Sequence, residues 1–165
     1  MEKKELLARV KEDEVKFISL QFTDVIGVIK SVDIPVSRLG IALEDGIWFD
    51  GSSVEGFARI QESDMRLIPD PSTYAVLPWT PAELRRARIF CDIYQPDGNP
   101  FPGDPRGTLK RILRQVDERG WKYNVGPEPE FFLFRRNGGE SIHPVPHDVG
   151  GYFDFSANDD AVRVR

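Results

Sequence analysis

The sequence has little of the chemistry that several classes of site require. Its 165 residues include one cysteine, Cys91, and two histidines. A single cysteine excludes an intrachain disulfide and fits a reducing cytoplasm. Apolar and polar residues alternate around Cys91, so we expect it to be a small residue in a strand without a reactive role.

Long apolar runs and a secretion signal are also missing. No stretch approaches 18 apolar residues, and the first residues lack the charged and apolar pattern that a signal peptide requires. We therefore expect a cytoplasmic protein with no membrane partner. The net charge of −5 argues against nucleic acid as the main partner. No glycine-rich phosphate loop of the P-loop or dinucleotide-binding type is present.

The two histidines are four residues apart, at His143 and His147, a spacing that would align two metal ligands on a helix. Pro144 and Pro146 exclude that helix, because proline in a helix interior removes a hydrogen bond and causes a clash. We expect both histidines to be loop residues.

The first part of the chain has the patterns of a sheet with one or two helices. Hydrophobic residues make up 40% of the sequence and include 11 phenylalanines, enough to build a core. The patterns predict helices over 1–11 and 35–43, and strands over 15–23, 25–32, 47–50, 73–78 and 87–94. A tight turn at Thr23 and Asp24 would join the first two strands, with Gly27 at a bulge. Residues 54–71 carry no clear pattern.

A proline-rich boundary at 99–105 precedes a second part. Asp104 is suited to cap a helix that begins with Pro105 and ends near Gly120. An apolar stripe follows the helical repeat at Leu109, Ile112, Leu113 and Val116. Residues 156–165 have the pattern of another helix beginning. With about 67 residues from 99 onward, this part can bury little apolar surface alone, so we expect the front portion of something longer.

Two glutamates separated by one residue, Glu128 and Glu130, carry the strongest chemical signal. They open an apolar run at 131–134, and the pattern predicts a strand over 126–134. On a strand both side chains leave the same face, with Cα atoms roughly 6.5–7 Å apart. Two carboxylates at this spacing suit two neighbouring hard cations, one carboxylate on each. The same pattern also fits a solvated acidic strand end.

Six motifs in order resemble the glutamine synthetase family. They read FDGSS at 49–53, ESDM at 62–65 with PD at 69–70, CDIY at 91–94, GDPR at 103–106, GPEPEFFLF at 126–134 and GGYF at 150–153. The resemblance covers about residues 15–155. It implies an α+β protein: a β-grasp N-terminal domain, residues 1–98, followed by the truncated start of a catalytic α/β domain, residues 99–165.

The resemblance also implies an activity and site residues. The family joins ammonia to glutamate with ATP through a γ-glutamyl phosphate, and assembles as a homo-dodecamer of two stacked rings. Glu128 and Glu130 match its paired ligands for two divalent ions, Mg²⁺ or Mn²⁺. Asp50, with Ser53 beside it, matches the aspartate that binds ammonium and takes its proton. Tyr152 matches a tyrosine near the ammonium pocket.

Residue chemistry alone leaves two alternatives open. Asp50 begins a sequence that also fits an ordinary turn. Two glutamates cannot complete two sites that each need about six oxygen ligands, so we expect this chain alone to be inactive. The chain is therefore either part of a glutamate–ammonia ligase or a non-catalytic β-grasp module that associates with a full-length synthetase.

Overall fold

The computed structural model describes residues 1–54, 56, 64–135 and 143–147. It divides the chain into two compact units, Met1–Tyr123 and Asn124–Arg165. The predicted helix at 156–165 lies outside the described residues. The domain boundary predicted near residue 98 stays a prediction.

The first unit is a mixed sheet with helices. Its helices are α1 (Lys3–Glu12), α2 (Leu39–Asp45) and α3 (Pro105–Glu118). Its strands are β1 (Phe17–Thr23), β2 (Ile29–Pro35), β3 (Ile47–Asp50), β4 (Asp64–Pro69), β5 (Ala75–Val76) and β6 (Arg86–Tyr94). Within the described residues the strand order is β2-β1-β6-β4-β3, and β5 also pairs with β6. β1 and β6 are parallel, whereas the other pairs are antiparallel.

The core lies on one face of the sheet, where alternate strand residues meet α1 and α2. β6 alternates strictly between buried and partly exposed residues, the pattern that predicted it from sequence. The buried apolar side chains include Leu6 and Val10 of α1, Leu39 and Ala42 of α2, Ile18 and Leu20 of β1, Leu67 of β4, and Ile89, Cys91 and Ile93 of β6. Burial raises the pKa of the Cys91 thiol, in keeping with the structural role expected for it.

Two glycines hold turns that the fold requires. Gly46 ends α2 with a φ of 74°, and a Cβ there would lie 2.7 Å from the Leu67 carbonyl oxygen of β4. Gly27 has a φ of 89° and lies in the β1–β2 turn, not at a bulge. The turn spans residues 24–28, because the Asp24 carboxylate accepts hydrogen bonds from the backbone of Ile26 and Val28. The predicted tight turn at Thr23 and Asp24 was therefore too early.

Four parts of the strand prediction need correction. The strand predicted over 25–32 begins later, at Ile29, and ends at Pro35. β4 was missed, although it lies between β3 and β6 in the sheet. The strand predicted over 73–78 is reduced to Ala75–Val76. The strand predicted over 126–134 is wrong, because residues 121–133 carry no helix or strand. Pro127 and Pro129 lack N–H donors, and among the described residues the segment makes only one isolated bridge, Phe134 with Pro146.

Candidate functional site

Asp50 is the last residue of β3 and caps the short 3-10 turn Gly51–Ser53. Its Oδ1 atom accepts hydrogen bonds from the Ser52 backbone N–H at 2.9 Å and the Ser52 hydroxyl at 2.6 Å. Its Oδ2 atom accepts one from the Ser53 hydroxyl at 3.0 Å. Ser53 therefore contacts Asp50, and both carboxylate oxygens are oriented by local donors.

The charge on Asp50 is stabilised by hydrogen-bond donors, and no cation among the described residues neutralises it. The hydroxyls of Ser52 and Ser53, followed by the backbone donors, lower the pKa of Asp50 below its ordinary value. The side chain is exposed, and no ion pair to it exists within the described parts of the chain. Asp64 of β4 lies directly opposite in the strand register and adds a second acid. The arrangement can attract a small cation from solvent.

The same local geometry recurs at Asp70, which caps the turn Pro71–Thr73. Its Oδ1 atom accepts from the Ser72 backbone N–H at 3.1 Å and the Ser72 hydroxyl at 2.6 Å. Asp70 differs in its second oxygen, which lies 2.6 Å from the Arg106 guanidinium. Hydrogen-bond geometry alone therefore does not separate a functional Asp50 from an ordinary turn. Within the described residues, Asp70 has a cationic partner and Asp50 does not.

Glu128 and Glu130 lie in the second unit, and both are exposed. Both side chains were expected to leave the same face of a strand over 126–134. The structure has no strand there, so this argument for a shared face no longer holds. Their carboxylates are the hard oxygen donors that Mg²⁺ and Mn²⁺ accept, but two side chains leave most of about six coordination positions to other ligands. The described residues contain no group of three or more acidic, histidine or cysteine side chains placed to hold a metal.

The remaining site predictions fall in the same unit. His143 and His147 lie in irregular backbone, as the flanking prolines predicted. His147 takes part in the bridge through its backbone, donating its N–H to the Leu133 carbonyl oxygen at 2.9 Å. Tyr152 lies outside the described residues.

A cluster of charged residues was missed by sequence reasoning. The Arg106 guanidinium of α3 contacts the carboxylates of both Asp70 and Asp92, and Lys110 Nζ lies 2.6 Å from Asp92 Oδ2. Asp104, 2% exposed, accepts from the backbone N–H groups of Arg106 and Ile93. All except Lys110 belong to the sequence motifs, but Asp70 and Arg106 are 36 positions apart. Patterns among neighbouring residues therefore could not predict the cluster.

Comparison with known proteins assigns the family. Residues 14–96 match the family model described as glutamine synthetase, beta-Grasp domain, and residues 102–165 match the glutamine synthetase catalytic domain. The chain is 52% identical over 163 residues to the glutamine synthetase of Methanosarcina mazei, covering 99% of this chain and 36% of that protein. It is 47% identical over 160 residues to that of Staphylococcus aureus strain Mu50, covering 95% and 35%.

The fold agrees with this assignment. The cryo-EM structure of Plasmodium falciparum glutamine synthetase matches with a TM-score of 0.65, covering 73% of this chain and 23% of that chain at 24% identity. Among the described residues, no helix has both the length and the apolar character to cross a membrane. The chain spans about a third of the length of the curated relatives it matches. Since the beta-grasp model alone covers just over half of the sequence, this chain belongs to the glutamine synthetase family.

Proposed function

We propose that this chain forms part of a glutamate–ammonia ligase, which makes glutamine from glutamate, ammonia and ATP through a γ-glutamyl phosphate. Family membership supports the reaction class. The observation that carries the proposal is the Asp50 carboxylate, which is exposed, stabilised as an anion by two hydroxyls, and without an ion-pair partner among the described residues. This is the electrostatic setting that an ammonium-binding residue requires.

Asp50 has two tasks in the proposal. Ammonium has no free electron pair, so it must first be bound as a cation and then lose a proton before nitrogen can attack a carbonyl carbon. The lowered pKa of Asp50 keeps its carboxylate ionised at neutral pH, which favours binding of the cation. Ser53 donates to Oδ2 at 3.0 Å and fixes the orientation of the carboxylate. The proton lost by ammonium passes to a carboxylate oxygen, and the resulting ammonia keeps the electron pair.

Glu128 and Glu130 are the proposed metal ligands. In the proposal Glu130 would hold one Mg²⁺ or Mn²⁺ ion on the side of the glutamate substrate, and Glu128 would hold a second ion on the side of ATP. When bound, these ions neutralise the charge that develops as the phosphoryl group moves between anions. Their exposure leaves both carboxylates accessible for coordination. Tyr152 is proposed to lie near the ammonium pocket.

The proposal also includes an assembly and a setting. Residues 1–98 would form the β-grasp domain, and residues 99–165 the first part of the catalytic domain. The complete enzyme would be a homo-oligomer, expected to be a dodecamer, in which Asp50 reaches the site of a neighbouring subunit. A cytoplasmic location is supported by the single buried cysteine, since it fits a reducing compartment.

A chimeric protein tests this proposal. Residues 1–165 of this chain would replace the corresponding residues of the Methanosarcina mazei relative, to which they are 52% identical. We expect the chimera to form glutamine from glutamate, ammonium and ATP with Mg²⁺ or Mn²⁺. The 165-residue chain alone should form none, because it supplies too few metal ligands.

A chimera that assembles as its parent does but forms no glutamine would contradict the proposal. Turnover by the 165-residue chain alone would refute the incomplete ligand set. The non-catalytic module is tested with the same materials. If the isolated chain binds the full-length relative and changes its assembly without adding activity, the chain acts as an associating β-grasp module.

A further inference from the structure

Helix α3 is attached to the sheet without a buried apolar face. Every residue of α3 is described, and none of them is buried. Leu109 and Ile112, two members of its apolar stripe, are 55% and 52% exposed. Burial of an amphipathic face normally supplies most of a helix's stability in a protein. The other two members of the stripe, Leu113 and Val116, are partly buried, and within the described residues of the first unit charged contacts also link this helix to the sheet.

These charged contacts lie in the first two turns of α3. Arg106 contacts Asp70, which follows β4, and Asp92, which lies on β6. Lys110 is one turn further along and contacts Asp92 at 2.6 Å. Two positive side chains thus face two carboxylates, all of them partly or largely shielded from solvent. An arginine fork that contacts two carboxylates at once gives a directional attachment that a single charge does not.

The residues before α3 are fixed independently. Phe101 packs against the core, and its N–H donates to the Ile93 carbonyl oxygen at 2.8 Å. The buried carboxylate of Asp104 joins the backbone of Ile93 to that of Arg106. This anchor places the start of the helix on β6. Beyond it, α3 lies close to β1 and β6, and the ion pairs of Arg106 and Lys110 link it to Asp70 and Asp92.

We propose that Asp70, Asp92, Arg106 and Lys110 form an electrostatic joint that holds α3 on the sheet. When the joint is broken, α3 leaves the sheet while β1, β4 and β6 stay folded. We expect α3 to detach without opening the apolar core, since none of the buried core side chains belongs to α3. A detached helix of 14 residues is marginal in water, so release also exposes its backbone amides to exchange.

Hydrogen–deuterium exchange of the full 165-residue chain tests the joint. Arg106→Gln should accelerate exchange at residues 109–118 by at least about tenfold, the scale of one lost charged hydrogen bond. Exchange at residues 87–93 of β6 should stay as in the unaltered chain. Arg111→Gln is the matched control, because among the described residues the hydrogen bonds of Arg111 go to Thr108 and Pro102, near its own position. It should leave both segments unchanged.

Two further exchange measurements test the joint if Arg106→Gln folds poorly. Asp92→Asn removes one carboxylate charge with little change in shape and should again accelerate exchange in α3 alone. In the unaltered chain, NaCl at about 1 M reduces the Debye length to about 3 Å and should raise exchange in α3 relative to β6. If the ratio of exchange rates between α3 and β6 is unchanged in Arg106→Gln, in Asp92→Asn and in NaCl, the proposal is overturned. Equal acceleration in α3 and β6 would also overturn it, since helix and sheet would then open as one unit.

Discussion

Leu20 of β1 lies directly opposite Ile89 of β6 in the parallel pair of the sheet, and both side chains are fully buried. Leu20→Ala removes buried methyl groups and leaves a cavity that close-packed neighbours cannot fill. We expect the free energy of unfolding to fall by about 3 kcal/mol. Denaturation in urea measures the change. Leu84→Ala, at an exposed leucine, should alter it by less than about 0.5 kcal/mol, and equal effects would place Leu20 outside the core.

The ion pair of Asp70 with Arg106 predicts a pH dependence of stability. Partial burial raises the pKa of Asp70, but the Ser72 hydroxyl and Arg106 outweigh it and lower the pKa to about 2. The unfolded value is about 3.9. Because the folded pKa is the lower one, the carboxylate stabilises the fold above the unfolded pKa, and this contribution is lost as pH falls through the folded pKa.

Asp70→Asn should therefore be less stable than the unaltered chain above about pH 5, and the difference should shrink between about pH 4 and 2. Urea denaturation at several pH values measures it. Asp97→Asn is the comparison, because the pKa of Asp97 is lowered by local donors without an ion pair among the described residues, and its stability difference should shrink less over the same range. A difference that stays constant down to pH 2 would show that Asp70 is not stabilised as an anion.

The paired glutamates predict divalent-ion binding in the chimera. Glu128→Gln and Glu130→Gln keep the side-chain shape but remove the charge that a hard cation requires. Each should raise the Kd of one Mn²⁺ ion by at least about tenfold, since even indirect partners of metal ligands have effects of that size. Electron paramagnetic resonance of free Mn²⁺ measures the binding. Glu118→Gln, at an exposed residue of α3, should leave the Kd of Mn²⁺ unchanged. Equal Kd values in all three variants would show that Glu128 and Glu130 are not metal ligands.

Elements with strong local patterns were predicted well from sequence. β6 has one buried and one polar face, so its alternation was visible. α3 was predicted from Asp104 and Pro105, which cap and begin the helix in the structure. β4 was missed because Ile68 is an apolar residue on the outer face and Pro69 resembles a breaker, although Pro69 is the last strand residue.

Features that depend on distant residues were beyond local patterns. The run Phe131–Phe134 predicted a strand, but a strand also needs a partner for its backbone, and Phe132 is 87% exposed. Asp70 and Arg106 are 36 positions apart, and nothing near either residue indicated the contact. Asp50 and Asp70 share their local hydrogen bonds, so only the resemblance to a family singled out Asp50.

Asp50→Ala in the chimera gives the sharpest test of the proposed ammonium role. Two rates are compared: ammonium-dependent glutamine formation, and formation of the acyl phosphate, followed by isotope exchange within ATP in the presence of glutamate without ammonium. Asp97→Ala is the control, since Asp97 is also a turn aspartate whose pKa is lowered by local donors.

We expect Asp50→Ala to reduce glutamine formation by at least about 100-fold, the scale of a lost acid–base residue. Isotope exchange should change by less than about threefold, because Asp50 is not proposed to act on the phosphoryl group. Asp97→Ala should leave both rates close to those of the chimera. Equal losses of both rates in Asp50→Ala would show that Asp50 does not act on ammonium.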